Sequence, residues 1–348
     1  MFKKFSLIVV MILTTIALVA CNREEEMKDY ELVEITHNVS KFDKMDGETA
    51  VYKKVEVTEE FYVNPKKVIT FSWAIVDIIG HFGIEELGIE RLGLPTQTSN
   101  VPSIIKGFDN VSYVDAGTLH DIDYNAIDLM NPDLIILDGR TASQYEFIKE
   151  NYPNTNVLDA SSTTYSIEVQ ESIFNNLGNI FPNIKDDLNS KMDEFKADFE
   201  EISLVGKNYK ASIIMLNGNK FSYQIGKNSR FGAIHNQFGL LEADPNGQEY
   251  ENNSHGYEIS SEYISEINPE VIFFMDRNLV VNSESSDRTF LNEPSLANVS
   301  AIKNEMLFDL NAEAWYTVSG GIQSTEQMIA DLRTFVNKQS NSNWQNLT

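Results

Sequence analysis

Two segments of this chain are built on one plan. Asn131-Pro132-Asp133 leads into the apolar run Leu134-Ile135-Ile136-Leu137 and then Asp138-Gly139-Arg140. Asn268-Pro269-Glu270 leads into Val271-Ile272-Phe273-Phe274-Met275 and then Asp276-Arg277. Each follows an apolar helix end, Ile127-Asp128-Leu129-Met130 and Ile264-Ser265-Glu266-Ile267. A helix end, a tight turn and a continuous apolar run make one α/β unit, because strands apolar on both faces belong to parallel sheets covered by helices. A second pair of markers, Phe82-Gly83-Ile84 and Phe238-Gly239-Leu240, recurs in the same order. The offsets are 137 and 156, so the first half holds 19 more residues between its markers, expected within Gly88 to His120. The chain is therefore expected to contain one α/β lobe twice, which its 348 residues accommodate at about 150 per domain.

Local patterns place the remaining elements. Lys67-Val68-Ile69-Thr70-Phe71, after the turn signal at Pro65, reads as a buried strand, and Ala74 to Phe82 as a helix capped by Gly83. Between the copies, Ile184, Leu188, Met192, Phe195, Phe199 and Ile202 form one apolar stripe at helical spacing, with Lys, Asp and Glu on the other faces. No Pro or Gly interrupts Ile184 to Val205, and a helix of ~20 residues reaches ~30 Å, so a stiff strut joining two lobes is expected. The expected division is a leader at 1–20, a tether with an early strand at 21–59, an N-terminal lobe at 60–182, a linking helix at 183–206, a C-terminal lobe at 207–338 and a polar, frayed tail at 339–348.

The leader is legible in the first residues. Lys3 and Lys4 precede an apolar run from Phe5 to Ala20, shorter than the ~20 residues of a membrane span. It ends Leu18-Val19-Ala20-Cys21 and turns abruptly polar at Asn22-Arg23-Glu24, the layout of a secretory signal with a processing site. Cys21 is the only cysteine, so neither a disulfide framework nor a Cys-rich zinc site is available. Cleavage before it would leave 25 bases against 52 acids, a net charge of −27. Such acidity argues against a nucleic-acid partner, which needs clustered Lys and Arg.

No catalytic constellation is written locally. His-Glu-x-x-His, Gly-x-Ser-x-Gly, a phosphate loop and Gly-x-Gly-x-x-Gly are all missing, and the five histidines, His37, His81, His120, His235 and His255, have no metal-ligand spacing on a shared helix. The arginines are more telling. Lys outnumbers Arg 20 to 7, yet Arg140 and Arg277 each end the apolar strand of one copy. Ligands of open α/β sheets bind outside the carboxyl ends of strands, so two facing lobes would aim both guanidiniums into one cleft. Arg230, before a helix expected from about Phe231, is placed to join them. A planar fork suits carboxylate, phenolate or catecholate oxygens. The competing reading pairs each Arg with an acid nearby, Asp138 or Asp276. His255, in a polar loop, and Tyr316, in Trp315-Tyr316-Thr317 before a helix, are suited to an anion or to ferric iron, although a loop histidine taken alone is more often merely exposed and a Trp-Tyr pair before a helix is also explained by packing.

Taken together, Asn64-Pro65-Lys66-Lys67-Val68, Asn131 to Ile136 with Gly139-Arg140, Ser254-His255-Gly256, Asp276-Arg277-Asn278 and Trp315-Tyr316 before Gly320-Gly321 resemble the solute-binding lipoproteins of ABC importers for ferric siderophores. The likeness runs over about residues 60 to 338 and is nearest to the catecholate branch, whose ligands are ferric enterobactin fragments or petrobactin. It implies two Rossmann-like α/β lobes bridged by a single long helix with the ligand cleft between them. It implies that Arg140, Arg230 and Arg277 bind catecholate oxygens, and that His255 and Tyr316 complete the iron shell when a tetradentate siderophore leaves two positions open. It implies lipid attachment at Cys21, a permease partner, a monomer and no intrinsic cofactor, the ferric siderophore being the ligand. In detail the chain departs from the family: Phe71-Ser72-Trp73 follows the first strand and Tyr223 lies near the expected cleft, so Trp73 and Tyr223 are counted with the ligand-binding residues. Haem, a corrinoid or a hydroxamate siderophore are alternative ligands, and a surface hydrolase or an adhesive protein are alternative classes.

Overall fold

The computed structural model describes residues 31–345 except 98, 110, 163–164, 225, 227–228 and 245–255, and no side chain of 222–224 or 340–345. Its first element is a long antiparallel hairpin, β1 (Leu32–Asp46) and β2 (Thr49–Tyr62), in register from Leu32 opposite Tyr62 to Asp46 opposite Thr49. The tether expected to extend to residue 59 is thus mostly hairpin. Alternation explains it: Ile35, His37 and Val39 are buried on one face while Glu34, Thr36 and Asn38 face solvent. Asp46-Gly47, with Gly47 at φ 61°, supplies the turn signal for a two-residue connection.

The N-terminal lobe follows as β3 (Lys67–Thr70), α1 (Trp73–Phe82), β4 (Arg91–Leu94), β5 (Val114–Asp115), α2 (Tyr124–Met130), β6 (Leu134–Leu137), α3 (Tyr145–Asn151), β7 (Asn156–Asp159) and α4 (Ile167–Ile180). Its five strands form an all-parallel sheet in the order β5-β4-β3-β6-β7. The stretch from Gly88 to His120, where the surplus residues of this half are expected, holds β4, β5 and the long loop between them.

Helix α5 (Lys185–Gly206) crosses to the C-terminal lobe, burying Leu188, Met192, Phe195, Phe199 and Ile202 as the stripe requires. Then come β8 (Lys210–Asn217), β9 (Lys220–Gln224), α6 (Ala233–Asn236), β10 (Leu241–Glu242), β11 (Tyr257–Glu258), α7 (Ser261–Ile267), β12 (Val271–Asp276), α8 (Arg277–Asn282), α9 (Ser300–Lys303), β13 (Leu307–Leu310) and α10 (Ile322–Gln345). Here β10, β8, β12 and β13 pair in parallel, whereas β9 returns antiparallel beside β8 and β11 antiparallel beside β9. The second sheet is therefore mixed, because the Gly218-Asn219 connection, with Gly218 at φ 66°, folds the chain straight back. Helix α10 also runs through the expected polar tail from 339 onward. No Gly or Pro follows Gly321 to stop it, and Tyr209 Oη donates to Gln339 Oε1 at 2.6 Å, fixing the helix to the lobe.

The duplicated motif does the same work in both lobes. Asn131 and Asn268 end α2 and α7 in the left-handed conformation, at φ 47° and 42°. The acid two residues on then accepts backbone N–H groups at the start of the neighbouring strand: Asp133 Oδ2 from Lys66 and Lys67 at 2.8 and 2.9 Å, Glu270 Oε2 from Lys210 at 2.9 Å. Gly83 and Gly239, the other markers, both take positive φ. One main core runs through both lobes and along α4, α5 and α10.

Candidate functional site

Arg230, Arg277 and Tyr316 meet at the strand ends, and Arg140 lies near enough for its charge to be felt at Arg230. Arg140 lies three residues past β6, Arg277 is the first residue of α8 directly after β12, and Arg230 lies in the segment between β9 and α6. Tyr316 sits in a single π-helical turn, Glu313–Thr317, between β13 and α10. Arg230 Nη2 donates to the Tyr316 carbonyl at 2.8 Å, and its Cζ lies 3.9 Å from the Tyr316 ring centroid, a close cation–π contact. Arg277 Nε donates to Tyr316 Oη at 2.8 Å and Nη1 to Asn217 Oδ1 at 3.2 Å. Arg140 Nη1 lies 2.8 Å from His120 Nε2.

Among the described residues, none of the three has a carboxylate at ion-pair distance, while Arg288 pairs with Asp309, and Arg333 with Asp198 and Glu201. The acids that compete for them are otherwise engaged. Asp276 accepts from Asn278 N, Ser286 N and Ser286 Oγ, closing the loop after β12. Asp138 Oδ1 accepts from Gly139 N at 2.6 Å; burial pushes its carboxyl above the usual range, while that N–H, the Ser72 hydroxyl and the Arg140 charge pull it back. The guanidiniums feel one another. Arg230 has its pKa pushed down, foremost by burial and also by the like charges of Arg140 and Arg277, against the upward pull of Tyr316 and Asp138. Arg230 and Arg277 are half-buried and Arg140 is exposed, and gathering like charges without an ion-paired carboxylate is the electrostatic arrangement that suits an anion.

The Tyr316 turn is braced from both sides. Asp331 on α10 accepts from Trp315 Nε1 at 2.9 Å and from Asn311 N at 2.7 Å. Glu313 reaches the other lobe, accepting from Ser103 N, Ser103 Oγ and Ile104 N at 3.0, 2.7 and 2.8 Å. A π-turn of this kind is an unusual local conformation that recurs at functional sites.

The other expected residues fall elsewhere. Trp73 starts α1 and is 2% exposed in the main core, a packing position in this conformation. Tyr223 lies on β9 opposite Tyr257, described by its backbone. His255 and Cys21 lie outside the described residues. His120, Asn217, Glu313 and Asp331 carry no role in the sequence reading; Asn217 had a signal, the Asn217-Gly218 turn at the end of β8, and the others had none. The described residues hold no cluster of three or more His, Cys, Asp or Glu able to bind a metal, and no helix among them is long and apolar enough to cross a membrane.

A helix-bridged pair of α/β lobes with ligand-type side chains at the strand ends defines a two-lobed solute-binding protein. The chain belongs to the periplasmic binding protein family, whose model matches residues 84–314. It is 29% identical to the petrobactin-binding protein YclQ of Bacillus subtilis over 345 residues, covering 97% of this chain and 100% of that one. The solved structure of YclQ superposes with a TM-score of 0.67 at 27% identity, covering 86% of this chain and 98% of that one. The catecholate-siderophore binding protein VctP of Vibrio cholerae also gives 0.67 at 27% identity, covering 80% and 96%. A TroA-like periplasmic binding protein from Xylanimonas cellulosilytica shares the fold at a TM-score of 0.72 and 23% identity, covering 88% and 100%. As a member of that family, with YclQ and VctP named as binding proteins, the chain is a binding protein and not an enzyme.

Proposed function

We propose that this chain is the extracytoplasmic, lipid-anchored binding component of an ABC importer, and that it takes a ferric catecholate siderophore between its lobes and passes it to a permease. The observation that carries this reading is the meeting of Arg230 and Arg277 on Tyr316, with the charge of Arg140 felt at Arg230 and no carboxylate at ion-pair distance from any of the three, in a chain of net charge −25. A catecholate ligand brings several anionic oxygens on rigid aromatic rings, which planar guanidiniums bind in pairs and stack against. The iron is cargo and arrives with its ligand. Where a tetradentate siderophore leaves two positions open, Tyr316 and His255 fill them, and Arg277 on Tyr316 Oη matches the charge of the phenolate that forms. Two acyl chains on Cys21 hold the monomer stably at the outer face of the membrane, where one would not.

The test is a titration of the protein with ferric enterobactin, ferric petrobactin, a ferric hydroxamate and haem, followed by calorimetry and by tryptophan emission, since Trp315 adjoins Tyr316. Catecholates are expected to bind at micromolar concentration or below and to quench the emission; preference for the hydroxamate or haem would replace this ligand assignment. Cys21→Ala is expected to move the protein from the membrane fraction to the medium.

A further inference from the structure

Arg140 is the one arginine of the cluster supplied by the N-terminal lobe, and its guanidinium meets an imidazole. A guanidinium only donates, and it stays protonated, so the Nε2 of His120 at 2.8 Å must present its lone pair. His120 is thus neutral in this arrangement, with its proton on Nδ1.

The loop that carries His120 is tied down by its own hydrogen bonds. It leaves the carboxyl end of β5 and returns to the start of α2 through Thr118 N to Asp121 O at 2.8 Å and Asp123 N to Ala116 O at 2.9 Å. Thr118 Oγ1 accepts from the backbone N–H of both His120 and Asp121, at 3.0 and 2.8 Å. Gly117 takes φ +110°, and a Cβ there would collide with the Asp121 carbonyl and the Asp123 N–H. The backbone under Arg140 is equally constrained, since Thr141 N and Ala142 N both donate to Asp138 O at 2.8 Å. Two rigid loops therefore present one flexible side chain to one imidazole.

We propose that His120 is a positioning residue of the anion site: its Nε2 fixes the Arg140 guanidinium in place and so raises the affinity for the anionic ligand. The inference rests on the ferric catecholate reading of the cleft. A carboxylate in this place would hold Arg140 but cancel its charge; a neutral imidazole holds it and leaves the charge to the ligand. Tyr316 and Asn217 treat Arg230 and Arg277 in the same way, so all three cations are oriented by uncharged acceptors.

Ferric petrobactin titrated calorimetrically into the full chain tests this. His120→Ala is expected to weaken binding roughly five- to tenfold, as the loss of one solvent-exposed hydrogen bond of ordinary strength implies. His120→Gln, a neutral acceptor, is expected to recover most of the loss, and His120→Glu, a charged one, to bind more weakly than His120→Ala. In an Arg140→Ala background, His120→Ala is expected to cost nothing further. The inference is overturned if His120→Ala binds like the unaltered chain while Arg140→Ala binds weakly, or if the His120 effect persists in full without Arg140. An unaltered chain that binds no ferric catecholate would overturn the cleft reading as well, and the two failures are told apart by that first titration.

Discussion

Asp77 Oδ2 accepts the backbone N–H of Ser324 at 2.8 Å, so a side chain on the first helix of one lobe caps the last helix of the other. Its second oxygen accepts from Gln323 N at 3.0 Å. The carboxylate is fully buried at the positive end of the α10 dipole, and burial raises its pKa while those donors pull it down. Gln170 Nε2 adds donors to Gly320 O, Gly321 O and Thr325 Oγ1 at 3.1, 2.9 and 2.9 Å. With α5, these ties join the two lobes.

Removing the cap should cost stability. Asp77→Ala leaves two buried N–H groups without a partner and is expected to lower unfolding free energy by about 2 kcal/mol, read by urea denaturation. Gly321→Ala is expected to destabilise as well, because its Cβ would collide with the Asp77 carboxylate. Because that Cβ would also lie 2.6 Å from Asp77 Cβ, which alanine keeps, Gly321→Ala should be relieved only in part in the Asp77→Ala background, and complete loss of its cost there would contradict this account.

Arginine substitutions should separate by partner. Arg230→Ala and Arg277→Ala are each expected to weaken ferric catecholate binding at least tenfold, about 1.4 kcal/mol. Arg288→Ala and Arg333→Ala, whose guanidiniums pair with acids, should leave it unchanged. Lysine at 230 should restore only part, because a point charge neither stacks on the Tyr316 ring nor forks.

Denticity reports on the iron shell. Tyr316→Phe keeps the ring under Arg230 but removes the acceptor of Arg277 Nε. It and His255→Ala are expected to weaken tetradentate ferric siderophores more than hexadentate ones, measured by titration. Equal losses would remove both residues from the metal's coordination shell.

The hairpin should respond to acid. His37 is 5% exposed between β1 and the N-terminal lobe, with Nδ1 accepting from Asp159 N at 3.3 Å, and burial above all lowers its pKa although Glu59 and Asp159 oppose this. A base with a lowered folded pKa takes up fewer protons than the unfolded chain, so stability declines as pH falls below about 6.5 towards the folded value. Thermal unfolding of His37→Phe is expected to lose this part of the pH dependence, within the range where the unaltered chain shows it.

The lobes, the strut and the turn chemistry could be read locally. Asn131 and Asn268 cap helices where the Asn-Pro-acid pattern predicts, and the Leu188 to Ile202 stripe is buried along one face, because periodicity and turn preference act over a few residues. The hairpin at 32–62 was equally legible in its alternation and its Asp-Gly turn, yet its many charges masked both. The mixed second sheet escaped because β9 lacks an apolar run and is defined by the turn before it.

Partnership was not local. From sequence, the repeat favours a cleft for Arg277 but leaves pairing with Asp276 as the competing reading; the folded chain spends Asp276 on Ser286 and turns Arg277 to Tyr316 and Asn217. His120 and Arg140, 20 residues apart, and Asp77 and Ser324, 247 apart, carry no mark of each other along the chain. Spacing and turns specify which elements form. Which charges stay uncompensated depends on directional hydrogen bonds between side chains brought close by packing, and those exist only once both lobes have folded around α5 and α10.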